Sequence, residues 1–141
     1  MNQDQIKKVI ADHHDTVISW RRRIHQYPDL GLRCDQTAKL VEETLLNLGL
    51  DVKTGFAMTG IAANLHGISP QPLIGLRVDM DALPIQEETG LTFTSKIENR
   101  MHACGHDAHT AIGLGVAAVL GQMKDEIPGT VKFIFQPGEE A

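Results

Sequence analysis

Three short stretches of the chain concentrate residue types that can do chemistry. Asp79 and Asp81 stand two apart just after the apolar run Leu73-Ile74-Gly75-Leu76. On an extended backbone, residues two apart share a face, so both carboxylates can point at one site. His102, Cys104, His106 and His109 crowd into residues 102–109. Imidazole and thiolate are the donors that Zn²⁺ and similar cations favour. Gly105 allows a sharp backbone turn between Cys104 and His106. The same cluster opens an expected helix, whose N-terminus would lower the thiol pKa. Glu139 and Glu140 follow a second apolar run, and adjacent carboxylates can divide the work. One holds a cation while its neighbour takes a proton from water. Each cluster also has a plainer reading: a capped strand end, a polar helix start, a solvated acidic turn. Spacing leaves open which of the three histidines binds a cation, and a nucleophilic Cys104 activated by a histidine is a rival chemistry.

Elements of two periods must position these groups. Ile6, Val9, His13, Val17, Trp20 and Ile24 recur every three or four residues, the stripe of an amphipathic helix that stops before Pro28. A second helix starts after Asp35 or Thr37, with Leu40, Val41, Thr44, Leu45 and Leu48 inward and Gly49 just past its end. Residues 50–54, 61–65 and 73–78 read as short strands between glycines and prolines. Residues 84–100 are polar and irregular, long enough for a functional loop. A third helix spans about 106–123, and residues 130–135 form a β-branched and aromatic strand of the type buried on both faces. The closing strand–helix–strand unit implies an α/β fold, a mostly parallel mixed sheet with flanking helices. Sites in such sheets lie beyond the carboxyl ends of the strands, where all three clusters fall.

Bulk properties narrow the class. The 141 residues suit one domain, with 42% hydrophobic and 22% charged residues and a net charge of −5. That charge argues against nucleic acid as a partner. The triplet Arg21-Arg22-Arg23 suits the C-terminal part of a helix. No run approaches a membrane span, and the N-terminal residues lack the apolar core of a signal peptide. Two cysteines, Cys34 and Cys104, make no disulfide framework, so a cytoplasmic setting is expected. His13-His14-Asp15 suits a helix surface, Cys34 a buried thiol, and His66 a strand end.

The segments RRRIHQYPDLG, TGIAANLHG, LRVDMDALPIQEETGL, MHACGHDAHTAIGLGVAAVL and GTVKFIFQPGEE resemble, in that order, the M20 family of metallopeptidases. The nearest branch includes hippurate hydrolase, N-acyl-amino-acid hydrolases and plant auxin-conjugate hydrolases. The likeness runs from about Arg21 onward. It implies a zinc-exopeptidase-like catalytic domain that cleaves the amide of a small N-acyl amino acid with two divalent cations, Zn²⁺ or Mn²⁺ first, Co²⁺ or Ni²⁺ as alternatives. By the same likeness Cys104, His106 and Glu140 are metal ligands and Glu139 is the general base. Asp81 is the acid that orients a ligand, and Asp79 is left between support and structure. One departure is Leu32-Arg33-Cys34-Asp35, where relatives usually carry a Glu. Family members continue into a lid or dimerisation domain and then return to the catalytic domain. Residues 1–141 are therefore expected to be the truncated N-terminal portion of that domain. The whole protein would be a homodimer, and this chain alone would be inactive. A non-catalytic metal-binding or interaction module and a cysteine-dependent amidase are the alternatives.

Overall fold

A computed structural model describes residues 2–141. Helix α1 spans Gln3–Gln26. Its start is a capping box: the Asn2 side chain accepts the Gln5 N–H at 3.0 Å while the Gln5 side chain accepts the Asn2 N–H at 2.8 Å. Helix α2 spans Asp35–Asn47 and receives no side-chain cap from its own N-cap residue, Cys34. Asp29 supplies one from upstream, accepting the N–H groups of Gln36 and Thr37 at 3.0 and 2.9 Å. A carboxylate thus satisfies the helix start despite the departure at residues 32–35.

Four strands follow: β1 Asp51–Phe56, β2 Gly60–His66, β3 Leu73–Asp79 and β4 Thr130–Gln136. Between β3 and β4 runs α3, His106–Gly121, then one 3-10 turn at Lys124–Glu126. The sheet order is β1-β2-β4-β3. The α/β class, the mixed sheet and the flanking helices match expectation. The strands are less parallel than expected, however: β1–β2 and β2–β4 are antiparallel, and parallel pairing is confined to β3–β4. The short connection from Phe56 to Gly60 permits only a hairpin, whereas the α3 crossover permits parallel neighbours.

Strand β4 also corrects the sequence reading. It is not apolar on both faces: Val131, Phe133 and Phe135 are buried, while Ile134 between them is exposed and Lys132 and Gln136 are half-buried. Their antiparallel partners Leu65, Ala63 and Ile61 are buried on the same face. The opposite face carries Lys53, Asn64, Lys132 and Arg77 besides Ala62 and Ile134. It is a mixed surface, on which Ile134 stays exposed between charged and polar neighbours.

Helix α3 lies between α1 and the sheet, and this doubly covered position is why it is apolar nearly all round. A Cβ on Gly113 would sit 3.2 Å from Val78 and 3.3 Å from Phe135, so the missing side chain lets α3 approach β3 closely. That approach sets the height of the α3 N-terminus over the end of β3. Among the described residues no helix is long and apolar enough to cross a membrane.

Candidate metal centre and active site

Because β3 and β4 are parallel, their carboxyl ends share one edge of the sheet, and α3 begins over it. Asp79 closes β3. Met80 leaves the strand but donates its N–H to the Gln136 carbonyl at 2.9 Å, carrying Asp81 toward the turn that follows β4. Gly105 caps α3 with φ of +103°, and Gly138 has φ of +70° in the turn leading to Glu139. Both conformations are left-handed and strained for other residues. The expected sharp turn before His106 is present.

Asp81, fully buried, grips that turn by its backbone. One carboxylate oxygen accepts the Glu139 N–H and the other accepts the Glu140 N–H, each at 3.0 Å. Its carbonyl oxygen meanwhile lies 2.8 Å from Nδ1 of His106. With Nδ1 donating there, the His106 lone pair is on Nε2. The carboxylate orients the glutamate pair, while the main chain of the same residue orients the imidazole.

Nε2 of His106 faces three carboxylates: Asp79 at 3.6 Å and Glu139 and Glu140 at 3.8 Å each. Donor atoms of Cys104, His106 and Glu140 lie within 4.8 Å of one another, as do those of Asp79, His106 and His109. The two groups share His106, whose single lone pair serves one cation. The mixed S, N and O donor set and the concentration of negative charge fit a divalent cation. Arg77 is the only guanidinium or ammonium ion-paired with these carboxylates among the described residues, at 2.9 Å from Asp79.

The remaining histidines separate clearly. His109 is exposed, donates Nδ1–H to Asp79 at 2.6 Å and stacks on His106 with ring centroids 5.7 Å apart. Burial alone would raise the Asp79 carboxyl, but the His109 hydrogen bond, with the neighbouring His106 ring and the Arg77 charge, outweighs it, leaving its pKa below the usual value. His102 is buried, and neither of its ring nitrogens has a partner. Burial first, with the His25 and His106 rings nearby, brings its pKa down to about 4, so it is neutral. Its ring lies 6.3 Å from that of His25, and it belongs to neither donor group.

Cys104 differs from the sequence reading. It precedes the helix, and its hydrogen bond to Glu140, followed by reduced hydration and the charges of Glu140, Glu139 and Asp79, raises the thiol pKa. Without a cation beside it the sulfur is held as a thiol, the reverse of what a nucleophilic cysteine requires. Cys34 is buried and inert, with its thiol pushed up to about 12, chiefly by burial.

Sequence reasoning missed a buried ionic chain behind the site. His25 places Nδ1 2.8 Å from Asp107 and Nε2 3.1 Å from Glu87. Asp107 also receives Arg21 Nε at 3.0 Å. Glu87 accepts the Ser95 N–H at 2.6 Å and the Thr89 hydroxyl, anchoring the loop 84–100. The one available signal was that His25 sits beside the helix stripe rather than opposite it. Burial alone would raise the Glu87 carboxyl, but the hydrogen bonds from Thr89, Ser95 and His25 outweigh it and bring its pKa down to about 2. A carboxylate depressed from 4.5 stabilises the fold fully above pH 4.5, and that stability is lost as pH falls toward 2. The melting temperature of a Glu87→Gln variant is therefore expected to vary less over that window than the wild type's. Parallel curves would refute this.

Comparison with known proteins is consistent with these elements. The model of peptidase family M20/M25/M40 matches residues 75–141. The N-acyl-L-amino acid amidohydrolase of Geobacillus stearothermophilus is 42% identical over 99% of this chain and 38% of its own. Thermostable carboxypeptidase 1 of Saccharolobus solfataricus is 44% identical over 97% of this chain and 35% of its own. The crystal structure of the Bacillus subtilis YXEP protein, described as a dinuclear metal-binding peptidase of family M20, superposes with a TM-score of 0.88 at 42% identity, over 92% of this chain and 36% of that one. The chain thus spans little more than a third of the length of the relatives it matches.

Proposed function

We propose that the chain belongs to peptidase family M20/M25/M40, whose model matches residues 75–141, and that the protein carrying it is a metal-dependent hydrolase of the amide bond of N-acyl amino acids. The observation that carries this reading is the convergence of Cys104, His106 and Glu140 within 4.8 Å, with the Glu139 carboxylate 3.8 Å from His106 Nε2. Cys104, His106 and Glu140 would hold the metal, and the dinuclear description of the B. subtilis relative supports two divalent cations. Zn²⁺ or Mn²⁺ suits the donor set first, with Co²⁺ or Ni²⁺ also compatible. Bound there, such cations supply positive charge that polarises the scissile carbonyl and acidifies water.

The chain's own residues do the rest. Glu139 takes the proton of the attacking water and delivers it to the departing nitrogen. Asp81 keeps the peptide N–H groups of Glu139 and Glu140 satisfied, so both side chains leave one fixed turn toward the same point. His106 is held in one tautomer by the Asp81 carbonyl. The names of the relatives, an N-acyl-amino-acid hydrolase and a carboxypeptidase, share one bond type, an acylated nitrogen next to a carboxylated carbon.

Residues 1–141 are read as the N-terminal portion of the catalytic domain, with a lid or dimerisation domain supplied elsewhere in a homodimeric protein. Hydrolysis of N-acetyl and N-benzoyl amino acids, with and without chelator, tests the activity. Loss on chelation and recovery with Zn²⁺ or Mn²⁺ is expected. Activity that survives metal removal would refute the reading, and metal retention without turnover would favour a binding module. Cys104→Ala is expected to lower metal content by elemental analysis after dialysis, whereas unchanged content would remove Cys104 from the ligand set.

A further inference from the structure

Cys104 lies on a stretch with little structure of its own. It is exposed, it precedes α3, and the segment before it ends at Met101, which pairs with Leu83 by two backbone hydrogen bonds of 3.0 Å. That pair closes the base of the loop 84–100. The place of the thiol therefore depends on two brackets, the loop on one side and the first turn of α3 on the other.

One buried imidazole joins the two brackets. His25, 3% exposed, sits between the Glu87 carboxylate of the loop and the Asp107 carboxylate of α3, the residue after His106. Both ring nitrogens face carboxylate oxygens, at 2.8 Å from Asp107 and 3.1 Å from Glu87, and Arg21 Nε reaches the same Asp107 oxygen at 3.0 Å. Glu87 passes the grip on to the loop backbone through Ser95 N–H. Phe93 of the same loop packs edge-on against the His25 ring, with centroids 5.4 Å apart. Among the described residues, the ion pairs around His106 and His109 involve Asp79, Asp81, Glu139 and Glu140 rather than these groups.

We propose that His25 is a positioning residue for the metal centre: by tying Glu87 to Asp107 it fixes the spacing between loop and helix, so that Cys104 and His106 reach one cation. This rests on the reading of Cys104 and His106 as ligands. Outer partners that orient ligands typically change metal affinity by about tenfold to a hundredfold when removed. A staple that only holds the fold together would lower stability and leave the donor set of the folded protein intact.

Titration of Co²⁺ into the protein that carries this chain separates the cases. A thiolate ligand gives a near-ultraviolet charge-transfer band, whereas the visible bands report bound cobalt whatever its donors. Glu87→Gln and His25→Gln each break the bridge at similar volume. Both variants are expected to bind Co²⁺ about tenfold to a hundredfold more weakly and to lose the near-ultraviolet band relative to the visible bands, with a cooperative melt retained. Lys39→Ala, which touches only an exposed pair with Glu43, is expected to match the wild type. Wild-type affinity and band ratio in both variants would overturn the positioning role while leaving the ligand assignment standing. No thiolate band in the wild type would remove Cys104 from the ligand set, and this proposal with it. If neither variant folds, His25 is a staple and the positioning role is overturned.

Discussion

Replacing Glu139 by glutamine is expected to lower kcat by about a thousandfold, or about 4 kcal/mol in the barrier, with metal content unchanged. Glutamine keeps the size and the backbone N–H that Asp81 accepts at 3.0 Å. It cannot take a proton from water. The adjacent Glu140, the proposed ligand, is untouched, so turnover and metal content part company in this variant alone. Measuring both on one preparation checks the assignment. A variant within a few-fold of wild-type turnover would transfer the proton to another group, and one that lost its metal would make Glu139 a ligand.

Asp81→Asn tests whether a backbone grip can matter as much as a side chain at the site. The carboxylate offers one oxygen to each of two peptide N–H groups. An asparagine of the same shape keeps one acceptor and turns an NH₂ group toward the second N–H, where two donors meet. Asp81 is fully buried, so water cannot repair the mismatch. The expected cost is about 3 kcal/mol of stability. With the glutamate turn no longer held, a fall in kcat of about a hundredfold should accompany it. Thermal melting and steady-state kinetics read the two effects separately. A variant with an unchanged melting temperature would show that the turn holds itself.

The clusters and the elements carrying them were legible in the sequence. Donor types are local facts: Asp79 and Asp81, Cys104 and His106, Glu139 and Glu140 were identifiable without any fold. The helical period in residues 6–24 and the strand runs report which positions face a core, and α1, α2, α3 and four strands lie where those periods place them. Where the sequence reading went too far, local composition stood in for pairing. The sheet is less parallel than expected because hairpin length governs β1–β2. Strand β4 has one open face because Lys132 and Gln136 alternate with its aromatics.

By itself, then, the sequence determined the chemistry on offer, the periods that bury it, and the resemblance to the M20 peptidases. Tertiary structure decided which groups meet. It put His106 at the centre, His109 on Asp79 and His102 in the interior without a partner, although all three share one short segment. It also gave Asp81 and His25 their partners. The partners of Asp81 lie 58 and 59 residues away, and those of His25 lie 62 and 82 residues away. The physical reason is that periodicity records only whether a side chain is inside. The partner it finds there depends on how closely two elements approach, and in α3 that distance is set by Gly113, where an added Cβ would meet Val78 at 3.2 Å.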